Sequence, residues 1–592
     1  MAKGLSRVVA VVAARLNSSR LPEKQLLDLA GEPLIERIFQ RLQQVAEIDQ
    51  LVLATTADQY NQPLLEWAEK SARAAFAYSG EIDDVVGRVD AVVQKYEADI
   101  VVFCCGDSPL IEPSTLSKMI SALQHNPTAE YVALCPAASG KMAIHEGFYP
   151  YRRSVWNRIV SASITPEQRE HVGLAIRSSV ADLKHCYVDD AAIFSRVQQR
   201  ISVDTIADYH LMNTLYQRWY ADNDPLSIVS LPWVIEQLQA DEALANINHG
   251  VQQRAPGQVP LRVLVVTQGG QQVGLGHLAR SGVVARCFQE QSAAAVTLFL
   301  QGDQVDYPPL DLLPKSRIGW GDSLVEKVDD WLEHHPVDVV IFDLAVIENP
   351  ADFLALLQKL GDENIVRIAI DGLFQFTAQL EHIHVPSFYL SAAVEHSADS
   401  AKISYGWDHY LLPQVTKVTP WQPGQRLLVM SGGSDPHALG KQWPKMLDEQ
   451  LTESMEIIWI QGPFAQPPEI AADSHHQWQL LKNPADLPSI MENCSYALCV
   501  YGVSFFELLQ RGVPTVVLGV GVEPQEIAAL VGEQVATVAT SPIEAVHGLR
   551  ALLGDDDRAE HYYRHAQALI GGQKGAENLL TRVQPLIGRE LK

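Results

Sequence analysis

The sequence predicts an α/β protein built from several doubly wound, mostly parallel sheets. Short apolar runs recur along the 592 residues and alternate with helical patterns. Several of these runs end in glycine or in a polar loop, and ligands bind at the carboxyl ends of strands in such sheets. The length predicts about three to four domain-sized units.

Composition and charge exclude several classes of protein. Hydrophobic residues are 47% and charged residues 20% of the chain, which is typical of a soluble globular protein. The net charge of −26 argues against a nucleic-acid partner. No run approaches the ~18 apolar residues of a membrane span, and the short apolar run that ends at Arg15 lacks a signal-peptide cleavage site. The seven cysteines form no CxxC pair, so we expect a cytoplasmic protein. An oligomer of identical chains is left open.

The first predicted strand, Val8–Val12, leads into a loop of small residues and spaced cations. Backbone N–H groups and cations of such a loop can bind a triphosphate. The alternative is a connecting loop whose basic residues are merely solvated. The residues of interest are Arg15, Asn17, Ser18, Ser19, Arg20 and Lys24.

Two further strands predict where the ligand lies. Gln50–Thr56 precedes a helix near Pro63–Ala74, and Asp99–Cys105 ends in Gly106 and Asp107. Arg15 and Asp107 therefore both follow the carboxyl ends of strands. A second carboxylate, Asp204, follows the run Ile201–Val203. Mg²⁺ that bridges phosphates needs one or two carboxylates, although an aspartate after a strand is more often a helix N-cap.

The order of these residues resembles the signature of the sugar cytidylyltransferases, most closely the spore-coat-polysaccharide type. The resemblance rests on Ala14-Arg15, Ser18-Ser19-Arg20-Leu21-Pro22, Lys24, Gly31-Glu32-Pro33-Leu34, a Gly-Asp-x-Pro motif at Asp107 and a Val-Asp-Thr-x-x-Asp motif at Asp204. It implies a Rossmann-like, GT-A-type domain over residues 1–250 that joins CTP to an acidic nine-carbon sugar. Asp107 and Asp204 would hold Mg²⁺, with Arg15 and Lys24 in catalysis. Asn17 and Glu23 replace two family glycines, and asparagine tolerates left-handed backbone angles.

Two more segments resemble the same family. Gly80–Arg88 resembles the segment that borders the nucleotide, which implies nucleotide-binding roles for Gly80 and Asp84 beside Arg15, Ser18, Ser19, Arg20 and Lys24. Arg169-Glu170-His171-Val172 resembles a stretch of the spore-coat type, and the role of His171 is left open.

The pattern restarts after a polar linker at residues 251–260. A strand at Val263–Val266 leads to Gly274-x-Gly276-His277-x-x-Arg280, and a second at Arg426–Met430 leads to Gly432-Gly433-Ser434-Asp435-Pro436. Two Rossmann-like halves, at 261–415 and 424–585, predict a GT-B arrangement with a ligand between them.

Together with Gly502-Val503-Ser504-Phe505-Phe506-Glu507, these motifs resemble the UDP-sugar hydrolase of pseudaminic acid biosynthesis, which is similar to MurG in fold. The resemblance implies a UDP-sugar substrate and His277 as the base for water. The positive end of a helix favours a neutral imidazole at His277, although a capping or packing histidine is the alternative. Glycines let backbone N–H groups approach a diphosphate, with a helix N-terminus behind them, and Glu507 could accept hydrogen bonds from ribose. The implied nucleotide-binding residues are Gly432, Gly433, Ser434, Gly502, Ser504 and Glu507.

The second half also departs from that family. Asp343-Leu344-Ala345 lacks the family tyrosine, and Glu523-Pro524-Gln525 lacks the family asparagine. The sequence therefore predicts a bifunctional enzyme of nonulosonic acid biosynthesis, of the pseudaminic or legionaminic type used in polysaccharide biosynthesis and flagellin glycosylation. Its first part would make CMP-sugar and its second part would hydrolyse UDP-sugar. The alternatives for the second part are a GT-B glycosyltransferase or a catalytically silent nucleotide-sugar-binding module.

Overall fold

A computed structural model of the chain describes residues 6–138, 140–253, 258–305, 307–397, 399–415, 418–484, 486–572 and 574–587. The chain divides into two compact units, Met1–Pro260 and Leu261–Lys592. Residues 254–257 of the predicted linker lie outside the described residues. Among the residues that are described, no helix is both long and apolar enough to cross a membrane.

The first unit contains nine strands and nine helices in its described part. The strands are β1 Val8–Ala13, β2 Asp28–Leu29, β3 Glu32–Pro33, β4 Gln50–Thr56, β5 Ala74–Tyr78, β6 Ile100–Cys105, β7 Tyr131–Leu134, β8 Phe148–Arg152 and β9 His185–Val188. The helices are α1 Leu34–Leu42, α2 Gln62–Lys70, α3 Val85–Lys95, α4 Pro113–His125, α5 Arg153–Ala162, α6 Pro166–Glu170, α7 Ile206–Asp222, α8 Leu231–Ala240 and α9 Glu242–Asn246.

One seven-stranded sheet organises this unit, in the order β5-β4-β1-β6-β8-β7-β9. β1 pairs in parallel with β4 and β6, whereas β8 runs antiparallel to β6 and β7. The apolar run Val8–Val12 is fully buried, as its composition predicts for a strand covered on both faces. Ala13 and Cys105 are register partners, so the loops that follow β1 and β6 begin side by side.

Local backbone differs from expectation at two places. The helix predicted to reach Ala74 ends at Lys70, because Ala72 turns into the left-handed region at φ 53° and β5 begins at Ala74. Asn17 was expected to accept the left-handed angle that the family glycine allows, but its φ is not positive. Glu23 takes that conformation instead, at φ 55°.

The second unit contains two sets of alternating strands and helices. Its strands are β10 Arg262–Gly269, β11 Ala295–Gly302, β12 Lys315–Ile318, β13 Val339–Asp343, β14 Val366–Ile370, β15 His382–His384, β16 Ile403–Ser404, β17 Arg426–Met430, β18 Glu456–Gln461, β19 Gln477–Lys482, β20 Tyr496–Val500, β21 Thr515–Leu518 and β22 Thr537–Ala539. Its helices are α10 Gly276–Gln291, α11 Leu324–His334, α12 Pro350–Asp362, α13 Ala392–Glu395, α14 Trp443–Gln450, α15 Leu487–Glu492, α16 Val503–Gln510, α17 Pro524–Glu533, α18 Pro542–Leu553, α19 Asp556–Ile570 and α20 Gly575–Val583.

Both sheets of this unit are doubly wound. Their orders are β12-β11-β10-β13-β14-β15-β16 and β19-β18-β17-β20-β21-β22, and all described pairs are parallel. Leu427 and Val429 of β17 pack into one core and Leu428 and Met430 into another, so this sheet is covered on both faces. The predicted fold class, a Rossmann-like domain followed by a GT-B-type pair, is confirmed.

The last helix of the second half returns to the first half. In α20, Glu577 accepts hydrogen bonds from Gln291 at 2.9 Å and from Gln414 at 2.7 Å, and Asn578 donates to the carbonyl of Asp408 at 2.9 Å. The sequence assigned this helix to the second half by chain order alone.

Candidate functional site

The loop after β1 forms a closed turn. The N–H of Glu23 donates to the carbonyl of Leu16 at 2.8 Å, and the N–H of Leu16 donates to the side chain of buried Asn61 at 2.8 Å. Ser18 lies inside this turn, where its hydroxyl accepts from the N–H of Leu21 at 3.4 Å, and Ser19 is exposed. The loop is therefore held at the carboxyl edge of the sheet.

Lys24 lies between the two predicted metal-binding carboxylates. Its Nζ donates to Asp204 Oδ1 at 2.6 Å and to Asp107 Oδ2 at 3.1 Å. Only 8% of the Lys24 side chain is exposed, so both contacts are poorly screened. Burial lowers the pKa of Lys24, but the two carboxylates raise it more, so the ammonium stays charged.

Asp204 collects two further cations. Arg20 Nη2 lies 3.3 Å and Arg200 Nη2 2.6 Å from Asp204 Oδ2. Burial raises the pKa of Asp204, but Lys24, Arg20 and Arg200 together hold it below its usual range. The carboxylate is therefore ionised at any physiological pH.

The donor set fits a divalent cation. Asp107 and Asp204 converge on one point, which the Lys24 ammonium occupies in this structure. Ionised carboxylate oxygens are the ligands that Mg²⁺ takes when it also binds phosphate oxygens. The two aspartates come from the end of β6 and from the loop before α7, so their approach is a property of the fold.

Other predicted residues of this site are already paired. Arg15 contacts Asp83 and donates to Glu170 Oε1 at 2.9 Å. Asp84 caps α3 by accepting from the N–H of Gly87 at 2.8 Å. A phosphate bound by Arg15 would have to compete with Asp83 and Glu170 for the guanidinium.

Asp84 and Gly80 have clear structural roles. Arg169 binds Asp84 through two hydrogen bonds of 2.8 and 2.7 Å, and the hydroxyl of Tyr78 donates at 2.9 Å. Burial raises the pKa of Asp84, but hydrogen bonds from Arg169, Gly87 and Tyr78 lower it by more, so the pKa lies below its usual value. Gly80 lies against the ring of Tyr78, which leaves no room for a side chain there. Their nucleotide contacts stay predictions.

Sequence reasoning missed two residues beside Asp107. Glu146 lies next to Ser202 and Arg200, and burial together with Asp107 raises its pKa. Tyr149 is 45% exposed and stacks on Phe103 with ring centroids 6.1 Å apart. Glu146 precedes β8 and Tyr149 lies within it. No local pattern places this antiparallel strand beside β6.

In the second unit the three glycine motifs come together. A Cβ at Gly433 would lie 3.7 Å from Leu275, and a Cβ at Gly276 would lie 3.5 Å from Val503. The loop after β10 therefore meets both the loop after β17 and the start of α16. Gly432 has φ 91°, which only glycine adopts without strain.

One expectation about this loop is wrong. The sequence placed a helix directly behind Gly432, Gly433 and Ser434, but α14 begins only at Trp443 after a short 3₁₀ segment at Leu439–Lys441. The helix N-terminus that meets the loops is that of α16, which begins at Val503 immediately after Gly502 and carries Ser504 in its first turn. Asp435, at φ 47°, caps the 3₁₀ segment instead.

His277 is held by a buried carboxylate that the sequence did not assign to it. His277 Nδ1 lies 2.7 Å from Asp343 Oδ1, and the Asp343 side chain is fully buried at the end of β13. Arg280 Nη2 also lies 3.0 Å from His277 Nδ1. In the tautomer in which Nδ1 donates to Asp343, Nε2 is left to accept a proton. The only sequence signal was an aspartate at the end of an apolar run.

Arg280 neutralises the same carboxylate. Its guanidinium donates to both oxygens of Asp343 at 2.6 to 3.0 Å, and Ser281 donates at 3.1 Å. Burial raises the pKa of Asp343, but Arg280 and His277 lower it by more, so the pKa lies below its usual value. Burial lowers the pKa of Arg280, but Asp343 and Asp371 raise it above its ordinary value.

Asp371 extends this group from the end of β14. It accepts a hydrogen bond from Arg280 Nη1 at 3.1 Å. Burial raises the pKa of Glu526, and the nearby charge of Asp371 raises it as well. Asp371, Gly372 and Leu373 all have positive φ, at 59°, 45° and 54°. The left-handed backbone of Asp371 and Leu373 stores strain, which is frequent at ligand sites, whereas Gly372 adopts it freely.

Glu507 lies on α16 rather than in a turn. Burial raises its pKa, with Arg511 partly offsetting that effect. Glu507 is also near Tyr307 of the first half. Its predicted contact with ribose stays a prediction.

A separate cluster of metal-binding residue types, Asp448, His475 and His476, is not suited to a metal. The N–H of Met455 donates to His476 Nδ1 at 3.2 Å, which places the His476 proton on Nε2, the nitrogen that faces Asp448.

The described fold is a Rossmann-like α/β domain followed by a GT-B-type pair of parallel-sheet halves. The family model for cytidylyltransferases matches residues 9–217. The chain is 32% identical to the 3-deoxy-manno-octulosonate cytidylyltransferase of Escherichia coli over 139 residues, which are 24% of this chain and 55% of that protein. The match thus spans about half the length of that relative.

Two further similarities were found. The chain is 25% identical over 228 residues to the spore coat polysaccharide biosynthesis protein SpsF of Bacillus subtilis, covering 36% of this chain and 88% of that one. The crystal structure of MurG from Acinetobacter baumannii aligns with 15% identity and a TM-score of 0.37, covering 55% of this chain and 100% of that one.

Proposed function

We propose that the first unit transfers a cytidylyl group from CTP to an acidic sugar and releases pyrophosphate. The observation that carries this proposal is the convergence of Lys24, Asp107 and Asp204 beside the closed loop after β1. The match of residues 9–217 to the cytidylyltransferase model supports it. The similar protein of Escherichia coli is a 3-deoxy-manno-octulosonate cytidylyltransferase, which supports a 3-deoxy-2-keto acid as the sugar proposed here. Within that class we expect a nine-carbon sugar.

The protein has little covalent chemistry to perform. A sugar hydroxyl oxygen attacks the α-phosphorus of CTP, the bond from that phosphorus to the β-phosphate bridging oxygen breaks, and the hydroxyl proton leaves to solvent. Lys24, Arg20 and Arg15 offset the charge that builds on the phosphate oxygens. Asp107 and Asp204 would hold Mg²⁺, which supplies charge neutralisation on the phosphates when bound.

A panel of sugars tests this function. The protein is incubated with CTP, Mg²⁺ and acidic sugars of eight and nine carbons, and the products are identified by mass spectrometry. We expect a CMP-sugar with at least one member. CTP turnover to CMP without sugar dependence would contradict the proposal.

For the second unit we propose hydrolysis of a UDP-sugar, with His277 as the base that takes the proton from water. The observation that supports this is the His277–Asp343 pair beside the meeting point of three glycine loops. Water oxygen attacks the anomeric carbon, the bond to the phosphate oxygen breaks, and UDP leaves. Arg280 Nη2 lies 2.6 Å from Asp343 Oδ1, which holds in place the carboxylate that orients His277.

A glycosyltransferase is the second candidate, because a histidine base serves an acceptor hydroxyl equally well. UDP release from UDP-sugars is measured with and without added acceptors. Release without acceptor supports hydrolysis. Release only with acceptor supports transfer, and tight UDP binding without turnover supports a silent module.

A further inference from the structure

Asn248 is a buried residue of the polar connector at residues 248–252, which leads into the predicted linker. It follows α9, close to the end of the first unit, yet only 4% of it is exposed. Its Nδ2 donates to Asp208 Oδ1 at 2.9 Å and to the carbonyl of Arg200 at 3.2 Å, and its Oδ1 accepts from Gln199. A connector that only joined two units would leave such an amide in water.

Asp208, the partner of Asn248, is wholly buried and fully engaged. Its Oδ2 accepts from the N–H groups of Asp204 at 3.1 Å and Thr205 at 2.9 Å, and it pairs with Arg200 at 2.9 Å. Its Oδ1 is the oxygen that Asn248 satisfies. Buried carboxylates need such partners, because a lost hydrogen bond leaves charge unsatisfied.

Asn248 therefore binds both Asp208 and Arg200, the two residues that hold Asp204. Asp208 fixes the backbone of Asp204, and Arg200, whose carbonyl Asn248 holds, binds Asp204 Oδ2 at 2.6 Å. A second contact joins the same connector to the loop after β1, since Arg20 Nη1 donates to the carbonyl of Gln252 at 3.4 Å.

We infer that Asn248 is a positioning residue for the carboxylate of Asp204, so that the connector at residues 248–252 completes the cytidylyl-transfer site. This inference rests on the proposed function of the first unit. Asn248 lies outside residues 9–217, which match the family model. Groups that hold a metal-binding carboxylate in place typically affect metal affinity 10- to 100-fold.

The test compares Asn248→Ala with His249→Ala in the full chain. His249 is exposed and adjacent, so its replacement controls for a change in this segment. Binding of Mn²⁺ alone is measured by the electron paramagnetic resonance signal of the free ion. We expect Asn248→Ala to weaken Mn²⁺ binding about 10- to 100-fold and to lower kcat more than it raises KM for CTP, with His249→Ala unchanged.

A role in stability alone would lower the melting temperature of Asn248→Ala and leave Mn²⁺ affinity as in the unmutated protein, which would overturn the inference. Should Asn248→Ala fail to fold, Asn248→Ser keeps a donor in a smaller side chain and is measured in the same way. Mn²⁺ affinity that is unchanged in Asp204→Asn would also overturn it.

The inference and the proposed function can fail separately. If the unmutated protein makes no CMP-sugar but loses Mn²⁺ affinity on Asn248→Ala, the proposed function fails and the positioning role stands. If it makes CMP-sugar and Asn248→Ala binds Mn²⁺ normally, the positioning role fails and the function stands.

Discussion

The buried carboxylate of Asp343 orients the imidazole of the partly buried His277. Asp343 is fully buried, and Arg280 binds it through several hydrogen bonds while also pairing with Asp371. His277 is thus oriented by a carboxylate that Arg280 holds in place. The His277 side chain is 19% exposed, whereas that of Asp343 is fully buried.

Replacing His277 by alanine should separate binding from turnover. Loss of a general base costs ~10²–10⁴ in rate, whereas the glycine loops that we propose to bind UDP are unchanged in this variant. UDP affinity is measured by calorimetry and UDP release by a coupled assay, with the exposed residue His547, replaced by alanine, as control. Unchanged turnover in His277→Ala would remove His277 from the mechanism.

The glycine loops allow a similar separation between fold and binding. Gly433 lacks the positive φ of Gly432, and a Cβ there would make only an ordinary contact with Leu275 at 3.7 Å. Gly433→Ala should therefore melt normally. It should bind UDP at least ~10-fold more weakly, about 1.4 kcal/mol, because a Cβ keeps the diphosphate from the backbone N–H groups.

The matched control for this variant is Gly321→Ala, which meets nothing within 4 Å and has no positive φ. Normal UDP affinity in Gly433→Ala would show that the diphosphate does not approach this loop.

Strand β15 predicts a pH dependence of stability. Burial lowers the pKa of His382 to about 4 and that of His384 to about 3. The unfolded chain binds protons at these histidines below pH ~6.5, while the folded chain does not until much lower pH. The contribution of the two neutral histidines to the free energy of unfolding is therefore fully present above pH ~6.5. It is lost as the pH falls toward 4, at up to about 1.4 kcal/mol per pH unit for each histidine.

His384→Gln tests this, because glutamine keeps a donor for the carbonyl of His409, which His384 Nε2 contacts at 2.7 Å. Hydrogen exchange of peptides from β15, corrected for intrinsic rates, should show a shallower loss of stability between pH 6.5 and 4.5 in the variant. Equal slopes in both proteins would contradict the assignment.

Local pattern predicted the buried strands, but it misplaced the end of α2 and the helix expected behind Gly432 and Gly433. The apolar runs at Val8–Val12 and Arg426–Met430 are strands, and Lys24 and Asp107 follow strands as expected. What local pattern could not give are partners far apart in sequence, such as Asn248 with Asp208 or His277 with Asp343. The left-handed angle fell on Glu23 because the hydrogen bond that closes the loop fixes its backbone.

For the whole chain, we expect that cutting between residues 254 and 260 yields two separately folded pieces. The chain divides at Pro260, and each side has its own sheets and cores. A protease site introduced in this linker is cut, and each piece is followed by circular dichroism during heating. A piece without a cooperative transition would refute independent folding.

The first piece should also depend on where the chain is cut. A piece that ends at residue 253 keeps Asn248 and Gln252 with their contacts to Asp208 and Arg20. A piece that ends at residue 246 loses both, so it should bind Mn²⁺ more weakly. Equal affinity in the two pieces would argue against a role of the connector in the site.

The central claim is that Lys24, Asp107 and Asp204 form a site for attack on the α-phosphate of CTP. The most direct measurement follows the label from CTP that carries ³²P at the α- or the γ-position, in the unmutated protein and in Asp107→Asn, with the exposed-site variant Asp182→Asn as control. With an acidic sugar present, we expect α-label in CMP-sugar and γ-label in pyrophosphate. Asp107→Asn should lose most of this activity while remaining folded. Release of γ-label as phosphate, or full activity in Asp107→Asn, would contradict the central claim.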